Sequence, residues 1–414
     1  MKISKICVSI LLLISLSLQL ISCGTVRAVD LMDGVRAESV AGKAADAAFI
    51  TAQLDFAASL FRHVADEENG ENLLISPLSV MAALAMTANG ADGETLSEME
   101  KALGGISVEA LNEYLSRYIK NLPSDKDYKL HVANSIWTKK GELSVKKSFL
   151  EKNNIYYDAA IYERPFNDDT VREVNAWVSE HTDGMIDHLL NEINPNLLLM
   201  LINAVCFDAA WATPYAESDE HDRDFTNADG SIVSVDMMYS RETRYLFDKN
   251  TTGFIKDYVD GKYQFVALLP DEGMAIEDYI SSLTAKKIEN LLASEKTHTV
   301  RAGLPKFEYD FEISLPEILM DMGMEDAFLP SRADFAGISE TPVFIGDVLH
   351  KTFISVKEDR TKAAAVTGVL AYGTSAQTKP IELKEIILDR PFVYMIVDGK
   401  TKLPVFIGTV TNID

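Results

Sequence analysis

Only three cysteines occur in 414 residues: Cys7, Cys23 and Cys206. With Cys7 in an N-terminal signal and Cys23 at its end, Cys206 has no partner, which excludes a disulfide framework and a cysteine-built metal site. Cys206 lies in the apolar run "LLLMLINAVCF" and reads as a small buried hydrophobe rather than a nucleophile. Basic residues are short as well: 39 lysines and arginines face 63 aspartates and glutamates, for a net charge of −24. That excess repels nucleic acid phosphates and anionic headgroups, and fits either plain solubility or the steering of basic partners. Catalytic signatures are missing too. There is no G-x-S-x-G elbow, P-loop, G-x-G-x-x-G or H-E-x-x-H. The 7 histidines are scattered. His181 and His188 share "EHTDGMIDH", where Asp183-Gly184 is expected to break a common helix face, and His221 in "ESDEHDRD" reads as part of a solvated loop. An enzyme is therefore disfavoured, and no cofactor or metal is expected.

What is present begins with targeting chemistry. "MKISK" supplies two lysines, and the uncharged, mostly apolar "ICVSILLLISLSLQLIS" follows. This core is too short for a stable spanning helix and fits a cleaved secretory signal over residues 1–22. "LISC", Leu20 to Cys23, resembles a bacterial lipobox, in which the cysteine becomes the lipidated first residue. The expectation is an exported lipoprotein of the cell envelope, at the outer membrane or cell surface, held only by an N-terminal lipid. Residues 23–42 read as a short tether.

From Ala44 the pattern turns helical. "AADAAFITAQLDFAASLFRHVADE" spaces Phe49, Phe56, Leu60 and Phe61 at helical intervals, and "NLLISPLSVMAALAMTANGA" reads as a short strand, a Ser-Pro helix start and an Asn-Gly stop. Strand patterns then dominate, from "YKLHVANSIWTKK" and "NIYYDAAIYERPF" to "IELKEIILDRPFVYMIVDGKTKLPVFIGTV". Asp260-Gly261 and Asp398-Gly399 each join two apolar strands, as tight hairpins require. Helices first and strands later imply an α+β fold with antiparallel sheets. No repeat or linker divides the chain, so one domain over 43–414 is expected, as a monomer.

One segment resists this scheme. "EDRTKAAAVTGVLAYGTSAQTKP", Glu358 to Pro380, holds small residues and no proline before its last position. Thr361, Ala363, Ala365 and Thr367 form one alternating set; Lys362, Ala364, Val366 and Gly368 form the other. The absence of proline keeps every ladder donor. The pattern suits a strand awaiting a sheet, and equally an exposed loop or an edge strand.

Separated motifs give this segment a context. "NLLISPLSVMAALAMTANGADGETLSEM", "LLLMLINAVCFDAAWATPY" and "VFIGDVLHKTFISVKEDRTKAAAVTG" resemble three segments of the serpin family, the last ending in the hinge of the reactive loop. "NAWVSEHTDGMIDHLL", "LPKFEYD", "MGMEDAF", "ADFAGIS", "DRPFVYMI" and "LPVFIGTV" fit in the same order, over roughly residues 50 to 414. The chain looks like a bacterial lipoprotein-type serpin. The resemblance implies a helix-rich N-terminal part, three mainly antiparallel sheets and an exposed reactive-centre loop at about 358–380. It implies a suicide inhibitor of serine, and also of cysteine, proteases: the cut loop inserts as a new central strand and carries the acylated protease with it.

By the same resemblance, Ser76, Ser79, Asn203 and His350 form a hydrogen-bonded shutter beneath the sheet, and Trp211 marks the breach where the loop enters. Glu358, Arg360, Thr361, Ala363, Ala364, Ala365 and Thr367 supply the hinge and inserting strand. Family spacing puts the scissile bond at Thr374-Ser375, with Tyr372-Gly373 as the alternative. Two departures bear on activity: Arg360 stands where inhibitory members usually have glycine, and Lys362 where they usually have glutamate. Glycine gives backbone freedom at a pivot, so Arg360 would slow insertion. The rival expectation is a non-inhibitory binding or scaffold serpin, cut without insertion.

Overall fold

Residues 47–68 alternate phenylalanine, leucine and alanine at helical spacing, and they fold as a 22-residue helix, α1 (Ala47–Glu68), with Phe49, Phe56, Leu60, Phe61 and Val64 buried. The computed structural model describes residues 29–36, 40–68, 70–358 and 383–413. In α2 (Pro77–Ala88) proline stands in the first turn, where its missing N–H costs no helical bond, and every residue of this helix is buried. Two polar-faced helices follow, α3 (Gly93–Ala102) and α4 (Val108–Lys120), the second capped by Ser107. Next comes α5 (Lys147–Tyr157). Asn167 starts α6 (Asp168–His181) with a reciprocal capping box to Thr170. Three short helices complete the set among the described residues: α7 (Ile276–Ser281), α8 (Ala285–Ala293) and α9 (Pro316–Asp321).

Strands, numbered along the chain, form two hydrogen-bonded sheets among the described residues. The six-stranded sheet runs β1 (Val29–Asp30), β4 (Ala160–Arg164), β3 (Tyr128–Lys139), β5 (Leu199–Ala209), β12 (Asp347–Val356), β11 (Phe307–Ser314). The nine-stranded sheet runs β13 (Leu383–Ile387), β10 (Lys296–Pro305), β7 (Ile232–Phe247), β8 (Thr251–Asp257), β9 (Tyr263–Pro270), β14 (Phe392–Asp398), β15 (Pro404–Val410), β2 (Leu74–Ile75), with β6 (Glu220–Thr226) beside β7. Three sheets were expected. The 16-residue β7 joins what would be two of them, pairing β6 along its first half and β10 and β8 along the rest. The pairing is also mixed: β3–β4, β5–β12 and β10–β13 are parallel.

Other expectations shift locally. Asn154 to Tyr157 are helical instead of opening a strand; they end α5 before Asp158 turns left-handed at φ 49°. His221 lies on the exposed edge strand β6 rather than in a loop. Val29–Asp30, inside the segment read as a tether, pairs with β4 at the sheet's edge. The break between His181 and His188 is present, with Asp183 at φ 51° and Gly184 at φ 75°. Both Asp-Gly turns form, and they interlock: Gly399 donates its N–H to Lys262 O at 2.8 Å, and a Cβ on Gly399 would meet Gly261 O at 2.0 Å.

Helix α6 covers one face of the six-stranded sheet. Val174, Trp177 and Val178 pack there on Ala133, Trp137, Met200, Ile202 and Ala204. The opposite face joins the main core with α2 and the nine-stranded sheet. The centre of the six-stranded sheet is thus covered on both sides, as the near-continuous apolar sequence of β5 demands.

Candidate functional site

At the sheet's centre, β5 and β12 run parallel as direct neighbours, paired from Asp347–Met200 to Phe353–Cys206. Both strands continue past the last pair. Phe207 to Ala209 keep their ladder with β3, and Ile354 to Val356 keep theirs with β11, but nothing pairs them with each other. The two strands therefore fork. A cavity of about 10 Å³ lies in the fork, lined by Phe207, Ala209, Trp211, Tyr258, Ile354, Ser355 and Lys357.

The chain leaves β12 at this fork toward the anomalous segment. Its exit is fastened on both strands' sides. Trp211 donates its indole N–H to the Lys357 carbonyl at 2.9 Å, and Tyr215 donates its backbone N–H to the Glu358 carbonyl at 2.8 Å. Trp211 itself is buried and stacked on Tyr258, with ring centroids 4.3 Å apart. The Glu358 carboxylate meets Lys306 at 3.1 Å, and Lys306 also pairs with Glu220 at 2.7 Å. Hydrogen bonding from its own backbone, then from Lys306, holds the Glu358 carboxyl below its usual range. Lys357 reaches across to Glu308, which also accepts from Ser355 Oγ at 2.7 Å.

Below the fork lies a buried polar cluster. Asn134 on β3 stands directly opposite Asn203 on β5, which in turn stands opposite His350 on β12. Ser76 donates its backbone N–H to His350 Nε2 at 3.1 Å. Nε2 is therefore the unprotonated nitrogen, and Nδ1–H donates to Asn203 Oδ1. Asn203 Nδ2 donates to Ser79 Oγ and to Asn134 Oδ1, and Ser79 Oγ donates to Asn134 Oδ1 at 3.2 Å. Burial, the dominant cause, pushes the His350 imidazole down to about 3, so it stays neutral. The arrangement ties three strands and α2 together through uncharged side chains, which part without stranding a charge.

The structure thus brings Ser79, Asn203 and His350 together. Ser76 joins by its backbone, and its hydroxyl finds no partner among the described residues. Trp211 stands beside Lys357, and Glu358 is the last described residue before the segment. Arg360, Thr361, Ala363, Ala364, Ala365, Thr367, Tyr372, Gly373, Thr374, Ser375 and Cys23 lie outside the described residues. Asn134, Tyr215 and Lys306 escaped the sequence reading. Asn134 carried a signal, since it interrupts the inward apolar set Leu130, Val132 and Ile136 at period two. Tyr215 and Lys306 lie in the quoted segments "LLLMLINAVCFDAAWATPY" and "LPKFEYD", but no local pattern names their partners, which lie far away in sequence. Cys206 is buried, with its thiol on the Thr182 carbonyl at 3.7 Å, and burial pushes that thiol's pKa up. Among the described residues, no group of histidine, cysteine and carboxylate side chains could hold a metal ion.

The sheet is mixed, covered on both faces and parted at one end between two parallel strands, with the chain leaving from the gap. The family profile described as serpin (serine protease inhibitor) matches residues 51–413, and the chain belongs to the serpin family. Serpins are typically protease inhibitors rather than enzymes. An uncharacterised serpin-like protein of Thermococcus kodakarensis is 32% identical over 368 residues, covering 86% of this chain and 84% of its own length. The thermophilic serpin tengpin, solved in its native state, is similar at a TM-score of 0.88 and 46% identity, covering 94% of this chain and 100% of that one. Human thyroxine-binding globulin is similar at 0.79 and 26% identity, covering 88% and 98%.

Proposed function

We propose that this chain is an irreversible suicide inhibitor of serine proteases, with cysteine proteases as a second target class. The protease's nucleophile attacks the scissile carbonyl, at Thr374-Ser375 or Tyr372-Gly373. The peptide C–N bond breaks, the new amine takes the nucleophile's proton and leaves with the C-terminal fragment, and the N-terminal part remains bound to the protease as an ester on serine or a thioester on cysteine. Residues from Thr361 onward then enter the fork as a strand between β5 and β12. At the fork they meet backbone groups of β5 and β12 that do not pair with each other, and further down each β5–β12 pair they separate is replaced by two new ones. The small inward set of Thr361, Ala363, Ala365 and Thr367 fits beneath the sheet without overpacking it. Strand addition of this kind is one of the general modes of β recognition.

The observation that carries this reading is the fork: the β5–β12 ladder stops at Cys206–Phe353 while both strands run on. The test mixes residues 24–414 with elastase, chymotrypsin, trypsin and subtilisin and resolves the products on a denaturing gel. A covalent band at the combined mass is expected, and sequencing the released fragment locates the bond. Proteases that nick the loop and stay fully active would contradict the reading.

Arg360 and Lys362 favour a second reading, a non-inhibitory binding or scaffold protein. A cleaved chain whose melting temperature does not rise would select it. We also infer export as a lipoprotein anchored through Cys23, from the N-terminal pattern. Mass spectrometry of the membrane-associated protein should find a diacylglyceryl adduct on Cys23, and Cys23→Ala should release it.

A further inference from the structure

Lys256 on β8 keeps only 3% of its side chain exposed. Its ammonium donates to the Thr213 carbonyl at 3.0 Å and to Glu242 Oε1 at 3.1 Å. The Tyr215 ring lies 4.3 Å from the nitrogen and the Trp211 ring 5.5 Å. Glu242 is steadied by Ser240 Oγ at 2.7 Å. Asp257, the next residue, is a second nearby carboxylate, engaged by Arg244 and Gln264. Burial pulls the ammonium's pKa down, and Glu242 opposes that pull. A buried cation persists only where such partners replace water.

The partners share one feature. Trp211, Thr213 and Tyr215 belong to the single turn that follows β5, and the ammonium is bound by that turn's carbonyl and both of its rings. The same turn grips the chain's exit through Trp211 to Lys357 and Tyr215 to Glu358. One side of the turn therefore holds a buried charge and the other holds the hinge. An apolar side chain at 256 would fill the space but offer Thr213 no directional bond.

We propose that Lys256 and Glu242 are positioning residues, a buried charge latch that fixes the 211–215 turn, holds Lys357 and Glu358 at the fork and so slows loop insertion. The inference rests on the insertion mechanism proposed above. It concerns the rate at which the uncleaved chain converts to the inserted form.

The test compares the full mature chain with K256M/E242Q, which removes both charges together so that neither is left buried alone. Each protein is incubated uncleaved at several temperatures below its unfolding midpoint, and conversion is followed by intrinsic fluorescence and native gel. The protease-cleaved forms of both are melted in parallel. The expected result is conversion at least tenfold faster in the variant, while the two cleaved forms melt within about 2 °C of each other. Conversion rates within twofold overturn the latch, as does an equal loss of melting temperature in cleaved and uncleaved forms, which a merely structural role would give. A wild-type cleaved form that gains no thermal stability overturns the insertion mechanism instead, and the latch with it.

Discussion

Cys206 and Phe353 are the last partners of the parallel ladder between β5 and β12. Beyond them the two strands diverge, each still tied to its outer neighbour, β3 or β11. A strand entering here extends an existing opening rather than breaking an intact sheet at its middle. Each further pair it separates is replaced by two new ones. In the insertion mechanism proposed above, the polar cluster below the fork would set the resistance to that motion, and the contacts of Trp211, Tyr215 and Lys306 would set the starting position of the hinge.

Acid should loosen the shutter. His350 is neutral in the fold down to about pH 3, whereas an unperturbed imidazole protonates near 6.5. Between these values the unfolded chain binds the extra proton, so stability falls as pH drops through that window. Near pH 4.5 the loss amounts to about 3 kcal/mol. Melting curves of the wild type and His350→Gln should diverge below about pH 6, with the wild type falling more steeply. Parallel curves would contradict the assignment.

Asn203→Ala should be more damaging than its size suggests. It leaves His350 Nδ1–H without its acceptor in a buried site and takes a donor from Ser79 Oγ and Asn134 Oδ1, which keep only their bond to each other. A loss of about 2–3 kcal/mol is expected, measured as a lower urea midpoint with an unchanged slope. A change below about 0.5 kcal/mol would mean that neighbouring groups re-pair without it.

Lys306→Ala should cost little in global stability. The Lys306, Glu220 and Glu358 side chains are 24%, 20% and 43% exposed, so solvent screens the pairs. A loss of about 1 kcal/mol or less is expected, shrinking at high salt. A salt-independent loss several times larger would show that the pairs act as buried ones.

The Cys206 thiol should resist alkylation in the folded protein. It is fully buried and its pKa is raised, so little thiolate forms and no reagent reaches it. Mass spectrometry after iodoacetamide treatment should find it unmodified until denaturant is added. Rapid labelling of the native chain would contradict its placement beneath α6.

The order of elements was legible because it rests on local pattern: apolar spacing in α1, the Ser-Pro start of α2, the Asp-Gly hairpins. Ile155, Tyr156 and Tyr157 misled because they favour strands by propensity, yet the Tyr157 hydroxyl bonds Asn112 from the end of α5. The shutter became legible only through resemblance, since Asn203 and His350 lie 147 residues apart and meet through the β5–β12 register. Lys256 was invisible for a related reason. A lysine in the strand sequence "TGFIKD" gives no sign that its ammonium will find Glu242 and the 211–215 turn. The junction of β7 with β6, β10 and β8 likewise depends on long-range pairing, which no local pattern encodes.

The most direct measurement is hydrogen exchange at Phe207 to Ala209 and Ile354 to Val356, before and after proteolytic cleavage of the loop. In the intact chain these amides have no ladder partner across the fork. If the cut segment enters between β5 and β12, both stretches become protected together, along with a large rise in protection down each strand. Exchange that is the same before and after cleavage would mean that the sheet never opens to the loop.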